Sequence, residues 1–184
     1  MDSPKSVLQE EYQKKILPEL KKRLGRKNDY AVPRLEKVVI NLGASKAQED
    51  SSFIDYASKS LARITGQRPV TTLARRSISG FKIRQGSKVG LKVTLRGKRM
   101  YDFVQRLVHA TLPRVRDFRG LLNKGFDGKG NYTIGIKEHT AFPEIDPDEV
   151  TETFGLEVTV VTTVKNNKEG KILLKLLGFP LKEK

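Results

Sequence analysis

The sequence predicts an α+β fold: a two-layer sandwich, with a mainly antiparallel sheet carrying helices on one face and leaving the other face open. Three observations predict it. Apolar residues recur every three or four positions around 8–24, 54–64, 100–108 and 172–177, as in helices that each bury one stripe. Elsewhere the apolar residues alternate, at Val38, Ile40 and Leu42 and again at Leu91, Val93 and Leu95, as in strands buried on one face. The two kinds of segment are interspersed, and stacking one-sided helices on a one-sided sheet is the arrangement that buries both. The 184 residues suit a single domain over 1–184. The helix within 1–25 packs on or flanks it, and two extended basic loops, 77–88 and 113–130, leave it.

Each element has its own local cause. Ser3-Pro4 reads as an N-cap and first helical position. Leu8, Tyr12, Ile16, Leu20 and Leu24 then make one helical face that Gly25 ends, with Pro18 expected to kink or split it. After Pro33, the LEKVVINLG segment is a strand with Lys37, Val39 and Asn41 on its less apolar side. Asp50 or Ser51 can cap a second helix that packs through Ile54, Ala57, Leu61 and Ile64 and stops at Gly66. A short strand follows at 70–74, and 77–89, with Gly80 and Gly86, reads as a long loop before a strand at 91–96. A third helix spans about 98–112, packs through Met100, Phe103, Val104, Leu107 and Val108, and is closed by Pro113. The segment 113–130 is irregular, and 132–137 reads as a strand. Asp146-Pro147-Asp148-Glu149 reads as a capping box opening one turn, and 157–164 is a β-branched strand. Asn166 with Glu169 caps a last helix that packs through Ile172, Leu173, Leu176 and Leu177 and ends at Gly178-Phe179-Pro180.

Charge is the strongest functional signal. The chain carries a formal +15, and residues 56–101 contain twelve Lys and Arg without one Asp or Glu. A quarter of the chain therefore supplies +12 of the +15. Its densest part, GFKIRQGSKVGLKVTLRGKR at 80–99, sets seven cations among four glycines. Solubility alone is better served by balanced charge, so a concentrated positive field of this kind points to a polyphosphate partner. The open sheet face would carry Lys37, Asn41, Lys92, Thr94, Arg96, Thr159 and Thr163, groups that can hydrogen-bond ribose and phosphate. Without a helix-turn-helix, zinc finger or basic zipper, RNA is favoured over DNA, and without an aromatic RRM signature, docking on folded RNA is favoured over single-strand stacking.

Other classes are disfavoured. There is no cysteine, which removes disulfides and thiolate chemistry and fits a reducing, cytoplasmic setting. No apolar run approaches 18 residues, and the N-terminus has no apolar signal region, so no membrane partner is expected and the Asn131-Tyr132-Thr133 sequon is expected to carry no sugar. His109 and His139 stand at no metal-binding spacing, so no metal or other cofactor is expected. GFDGKG at 125–130 superficially looks like a phosphate loop but is followed by Asn131-Tyr132 in place of Lys and Ser/Thr. With no nucleophile and base to pair, neither an enzyme nor a small-molecule substrate is expected. Charge alone is equally met by an RNA chaperone or an architectural nucleic-acid-binding protein, which stands as the alternative reading.

VPRLEK, NLG, GQRPVTTLARRSISGFKIRQG, KVTLRG, LPRVRDFRGL, FDGKGNY and FPEI stand in that order over roughly 33–164. Together they closely resemble the bacterial large-subunit ribosomal protein five family, the 5S rRNA-binding proteins of the central protuberance. The resemblance implies an antiparallel sheet with helices on one side and no enzymatic activity. It implies that 5S rRNA is attached to 23S rRNA among other large-subunit proteins, with contacts to P-site tRNA and to small-subunit protein thirteen. Matched by motif, 5S-binding residues fall on Asn41, Gln67 and Thr94, and Lys37, Arg75, Lys92 and Arg96 join them as cations of the same surface or its border. The loop facing tRNA falls on 77–87, with Ser79, Lys82, Arg84, Gln85 and Ser87 as contacts. The region facing the small subunit falls on Arg114, Arg116 and Arg119. The chain departs from the family pattern at Phe154-Gly155-Leu156-Glu157, where Arg-Gly, an apolar residue and Asp are commoner, and its N-terminal arm is slightly longer.

Overall fold

A computed structural model describes residues 6–44, 51–81 and 83–182. The expected caps at Ser3-Pro4 and Asp50, and Lys82, lie outside the described residues. Five strands, β1 (Leu35–Gly43), β2 (Val70–Leu73), β3 (Lys88–Leu95), β4 (Tyr132–Ile136) and β5 (Leu156–Thr162), form an antiparallel sheet in the order β2-β3-β1-β5-β4. Val70 faces Lys92 and Thr71 faces Leu91 across the β2–β3 pair, with a register shift between Thr72 and Leu73. The helices are α1 (Val7–Glu11), α2 (Leu17–Leu24), α3 (Ser51–Thr65), α4 (Gly97–Arg106), α5 (Leu112–Arg114) and α6 (Asn167–Leu176). The result is the α+β fold expected, with burial alternating along β1, β3, β4 and β5 so that one sheet face is closed and the other open.

The described residues gather into two compact units, one from 6–38, 95–134 and 159–182, the other from 39–44, 51–81, 83–94 and 135–158. The first is cored by Leu20, Val38, Leu95, Phe103, Val104, Leu107, Val160, Leu173 and Leu174, all nearly inaccessible to solvent. Within it Tyr12 donates its hydroxyl to the Pro33 carbonyl at 2.7 Å. Arg26 grips both carboxylate oxygens of Glu169 at 2.7 and 2.8 Å. The second unit is cored by Ile40, Leu42, Ala57, Leu61, Ile64, Leu91, Val93, Phe142 and Val158.

The two prolines inside helical stretches act differently from expectation, and in the same way. Proline lacks the N–H that would close an i→i−4 bond, and its ring collides with the carbonyl four residues back. In both places a five-residue π-helical turn precedes it: Tyr12–Ile16 before Pro18, and Leu107–Thr111 before Pro113. Widening the turn makes room for the ring while the chain stays helical. So the break expected at Pro18 takes the form of a π turn, and Pro113 does not close its helix, which runs on to Arg114.

Other stop signals act as expected. Gly25 and Gly66 adopt φ +64° and +65° after α2 and α3, the left-handed conformation that favours glycine at a C-terminus. Asn166 Oδ1 accepts the Glu169 N–H at 2.9 Å, and its amide donates back to Glu169 Oε1 at 3.2 Å. Asp146 caps the 3-10 turn Pro147–Glu149 by accepting the Asp148 N–H, but Glu149 pairs with Arg63 and does not close a box. In α6 the stripe includes Leu174, with Ile172 and Leu176 only half-buried. β3 starts at Lys88 and not Leu91, because backbone pairing continues past it.

Candidate nucleic-acid interface

Asn41 is exposed between the buried Ile40 and Leu42, so β1 fixes its side chain on the open face. On β3 the same alternation leaves Lys92 exposed and Thr94 half-buried between Leu91, Val93 and Leu95. Gln67 reaches them from the end of α3. The Thr65 hydroxyl donates to the Leu61 carbonyl at 2.7 Å and accepts the Gln67 N–H at 3.3 Å, and Gln67 Nε2 donates to the Thr94 carbonyl at 3.3 Å. The structure thus brings Gln67 onto Thr94. Arg75 is exposed just beyond β2.

Asn41 also borders a shallow, open hollow of about 460 Å³, completed by Gly43, Gly135, Ile136, Lys137, Gly155, Leu156 and Glu157. A Cβ on Gly43 or Gly135 would meet nothing within 4 Å, so the strand backbone there is bare. Glycine inside a strand commonly marks a place where another backbone approaches closely. The hollow offers amide and ammonium donors from Asn41 and Lys137 and a carboxylate acceptor from Glu157. Sequence reasoning found Asn41 and missed its glycine surround, for which Gly135, a glycine at the outward position between the buried Ile134 and Ile136 of β4, was the available signal.

In the other unit, Lys37 is half-buried on β1 and lies 3.7 Å from Glu36, while Arg96 is exposed in extended backbone just before α4. Two of the expected open-face hydroxyls already have partners: Thr159 shares a 3.1 Å hydrogen bond with Thr133, and Thr163 accepts the Arg34 N–H at 3.1 Å.

Between β2 and β3 the chain forms a closed hairpin. Ala74 N–H donates to the Ser87 carbonyl at 2.8 Å, and Gly86 N–H returns to the Ala74 carbonyl at 2.9 Å. Further out Ile78 and Ile83 exchange backbone bonds of 2.8 and 3.1 Å, and Ser77 Oγ accepts the Gln85 N–H at 3.0 Å. Ser79, Arg84 and Gln85 are exposed on this frame and Ser87 is half-buried. Arg75, Arg76, Arg84 and Lys92 carry no ion pair among the described residues, which follows from the lack of carboxylates nearby in the chain.

Arg114, Arg116 and Arg119 are exposed in and after α5. The segment after them is pinned where Leu121 N–H donates to the Pro180 carbonyl at 2.8 Å. In the GFDGKG turn the Asp127 carboxylate accepts the Lys129 N–H at 2.8 Å, the Asn131 N–H at 3.1 Å and the Asn131 amide at 2.7 Å. Partial burial opposes ionisation there, but these donors hold the carboxyl below its ordinary value. The turn binds its own anion, which fits its failure as a phosphate loop.

The residue pattern 154–157 sends its members to two places. Glu157 borders the hollow, whereas Phe154 is buried against His139, ring centroids 3.9 Å apart and planes 9° apart. Tyr56 stands edge-on to both rings. Among the described residues no group of three His, Asp or Glu could hold a metal, and no helix is long and apolar enough to cross a membrane.

A basic α+β protein with a polar open sheet face and a cationic hairpin fits the class of structural RNA-binding proteins. Comparison with known proteins specifies it. The chain matches the family model described as "Ribosomal protein L5" over residues 28–84 and the model of the same ribosomal family's C-terminus over 88–181. It is 51% identical over 178 residues to the large ribosomal subunit protein uL5 of Halothermothrix orenii, covering 97% of this chain and 99% of that one. It is 50% identical over 175 residues to uL5 of Geotalea daltonii (95% and 98% covered) and 51% over 175 to uL5 of Thermosipho melanesiensis (95% and 96%). The chain belongs to the uL5 family of large ribosomal subunit proteins, a structural component of the ribosome and not an enzyme.

Proposed function

We propose that the surface bearing Asn41, Gln67, Lys92 and Thr94, bordered by Arg75, docks 5S rRNA and that the protein thereby fastens it to 23S rRNA in the central protuberance. The observation that supports this best is the setting of Asn41: an exposed amide on a rigid strand, beside backbone bared by Gly43 and Gly135. Amides and hydroxyls held by a ladder can meet fixed ribose and base edges, and bare backbone permits close approach. Lys37 and Arg96, in the other unit, take phosphates. The hairpin, with Ser79, Lys82, Arg84, Gln85 and Ser87, reaches the P-site tRNA, and Arg114, Arg116 and Arg119 meet small-subunit protein thirteen.

The test is direct binding of 5S rRNA at about 0.15 M salt, near the physiological ionic strength. Asn41→Ala and Thr94→Ala each weaken binding by roughly 1–3 kcal/mol, the range for losing a group hydrogen-bonded to otherwise buried RNA atoms. Wild-type affinity in both variants would show that RNA docks elsewhere.

A further inference from the structure

The hairpin presents an aromatic ring that charge does not explain. Of the seven large hydrophobic residues exposed among the described residues, four lie between positions 70 and 81. The last of these in the chain, Phe81, is 71% exposed and ends the 3-10 turn Ser79–Phe81. Its backbone is not loose: Phe81 N–H donates to the Ile78 carbonyl at 3.2 Å, directly above the Ile78–Ile83 bridge. A fixed frame therefore displays a phenyl ring to solvent, flanked in sequence by the exposed Arg75, Arg76, Arg84 and Lys88.

Those cations select a polyanion, and burying Phe81 requires an apolar surface on that polyanion. A phosphate backbone has none. A nucleobase has two, and stacking on an aromatic ring is insensitive to which base is offered. An apolar protein partner would gain nothing from cations without counter-charges, and a ribosomal protein is surrounded by RNA. We propose that Phe81 is a stacking platform for an unstacked base, or for the end base pair, of a folded RNA, with the neighbouring arginines on the flanking phosphates. This rests on the reading of the hairpin as the tRNA-facing element and assigns the contact its chemistry.

The chain has no tryptophan, so Phe81→Trp introduces a single indole at the tip. Large subunits are reconstituted with wild-type, Phe81→Trp, Phe81→Tyr, Phe81→Leu, Phe81→Ala and Arg84→Gln proteins, and incorporation is verified by co-sedimentation. Each is titrated with deacylated tRNA, and the Trp variant also with anionic phospholipid vesicles. Stacking predicts quenched Trp emission on tRNA addition, unchanged affinity for Tyr and Trp, and roughly ten-fold weaker binding for both Leu and Ala. The slope of affinity against salt stays at the wild-type value in those variants, since no phosphate contact is lost. Leu binding like Phe, Ala binding like Phe, or emission that responds to vesicles and not to tRNA each overturns the platform. If Arg84→Gln weakens binding while Phe81→Ala does not, the stacking fails and the tRNA reading stands. If neither changes tRNA binding, both fail.

Discussion

The sheet surface around Asn41 and the hairpin from 74 to 87 belong to the same unit, yet they are built for different kinds of contact. On the sheet, polar groups are held by a hydrogen-bonded ladder over a closed core, and several are partly satisfied already, as where Gln67 donates to the Thr94 carbonyl. On the hairpin, exposed arginines with no ion pair among the described residues flank an exposed ring in sequence, on a frame of a few backbone bonds. Fixed neutral donors and acceptors give a geometric match that salt hardly touches, whereas free cations give attraction that salt screens. Under the function proposed above, this contrast is a division of labour: fixed geometry to hold a permanent RNA partner, and charge with an apolar contact to meet a partner that comes and goes.

The largest expected effect comes from making one substitution in both regions. A Cβ on Gly90, in β3, would lie 2.5 Å from the Leu42 carbonyl oxygen and 3.0 Å from Thr72 Oγ1. Backbone on a neighbouring strand cannot yield as a flexible side chain can. Gly90→Ala should therefore destabilise the protein by about 2–3 kcal/mol and lower 5S affinity with it. Gly80, in the hairpin, has open space around its missing Cβ, so Gly80→Ala should change stability by less than ~0.5 kcal/mol. Denaturant titrations of the two variants check this, and equal losses would mean that the hairpin is as tightly packed as the sheet.

The next effect separates geometry from charge. Asn41→Ala and Thr94→Ala should weaken 5S binding as described while leaving its salt dependence unchanged. Arg75→Gln and Arg84→Gln should weaken binding of whatever RNA each meets and reduce the salt slope by about 0.7–0.9 for each phosphate released. Affinities measured across a salt series decide it. A reduced slope for Asn41→Ala, or an unchanged one for both arginine variants, would erase the distinction between the regions.

Sequence made the sheet legible and left the hairpin and the hollow obscure, for physical reasons. Burial on one face imposes a period of two, so alternation alone places Asn41, Lys92 and Thr94 on the open side. Stops at Gly25 and Gly66 and the Asn166 cap follow from local chemistry acting over a few residues. The hairpin reads as a loop up to Val89 because Gly80, Gly86 and Gly90 look like breakers. Two of them instead serve it: Gly86, at φ +85°, turns the chain, and Gly90 lets β1 pass close. The hollow needs residues about a hundred positions apart, Gly43 with Gly135 and Gly155, which no local pattern links. The π turns are hidden likewise, since proline announces a conflict but not how the chain resolves it.

The smallest effect concerns His139, which is completely buried and which sequence treats only as one of two unpaired histidines. Nδ1 accepts the Phe154 N–H at 3.4 Å, so the neutral ring carries its proton on Nε2, which lies 3.2 Å from the Tyr56 hydroxyl. Protonation would place a second hydrogen against the Phe154 N–H and a charge between aromatic rings. Burial accordingly pushes the His139 pKa below its ordinary 6.5. The unfolded chain then takes up the proton first as pH falls. Stability attributable to this group is complete above about pH 6.5 and declines below it until the folded-state pKa is reached, by at most ~1.4 kcal/mol per pH unit. Replacing the ring by an amide in His139→Gln removes that titration, so the gap in stability between wild type and variant should narrow from pH 7.5 to pH 5.5, a range of about one unit either side of the ordinary histidine value. The pH response then belongs to the buried interior of the unit and the salt response to its hairpin, and denaturation curves that keep a constant gap across that range would show that burial of His139 does not make the fold acid-sensitive.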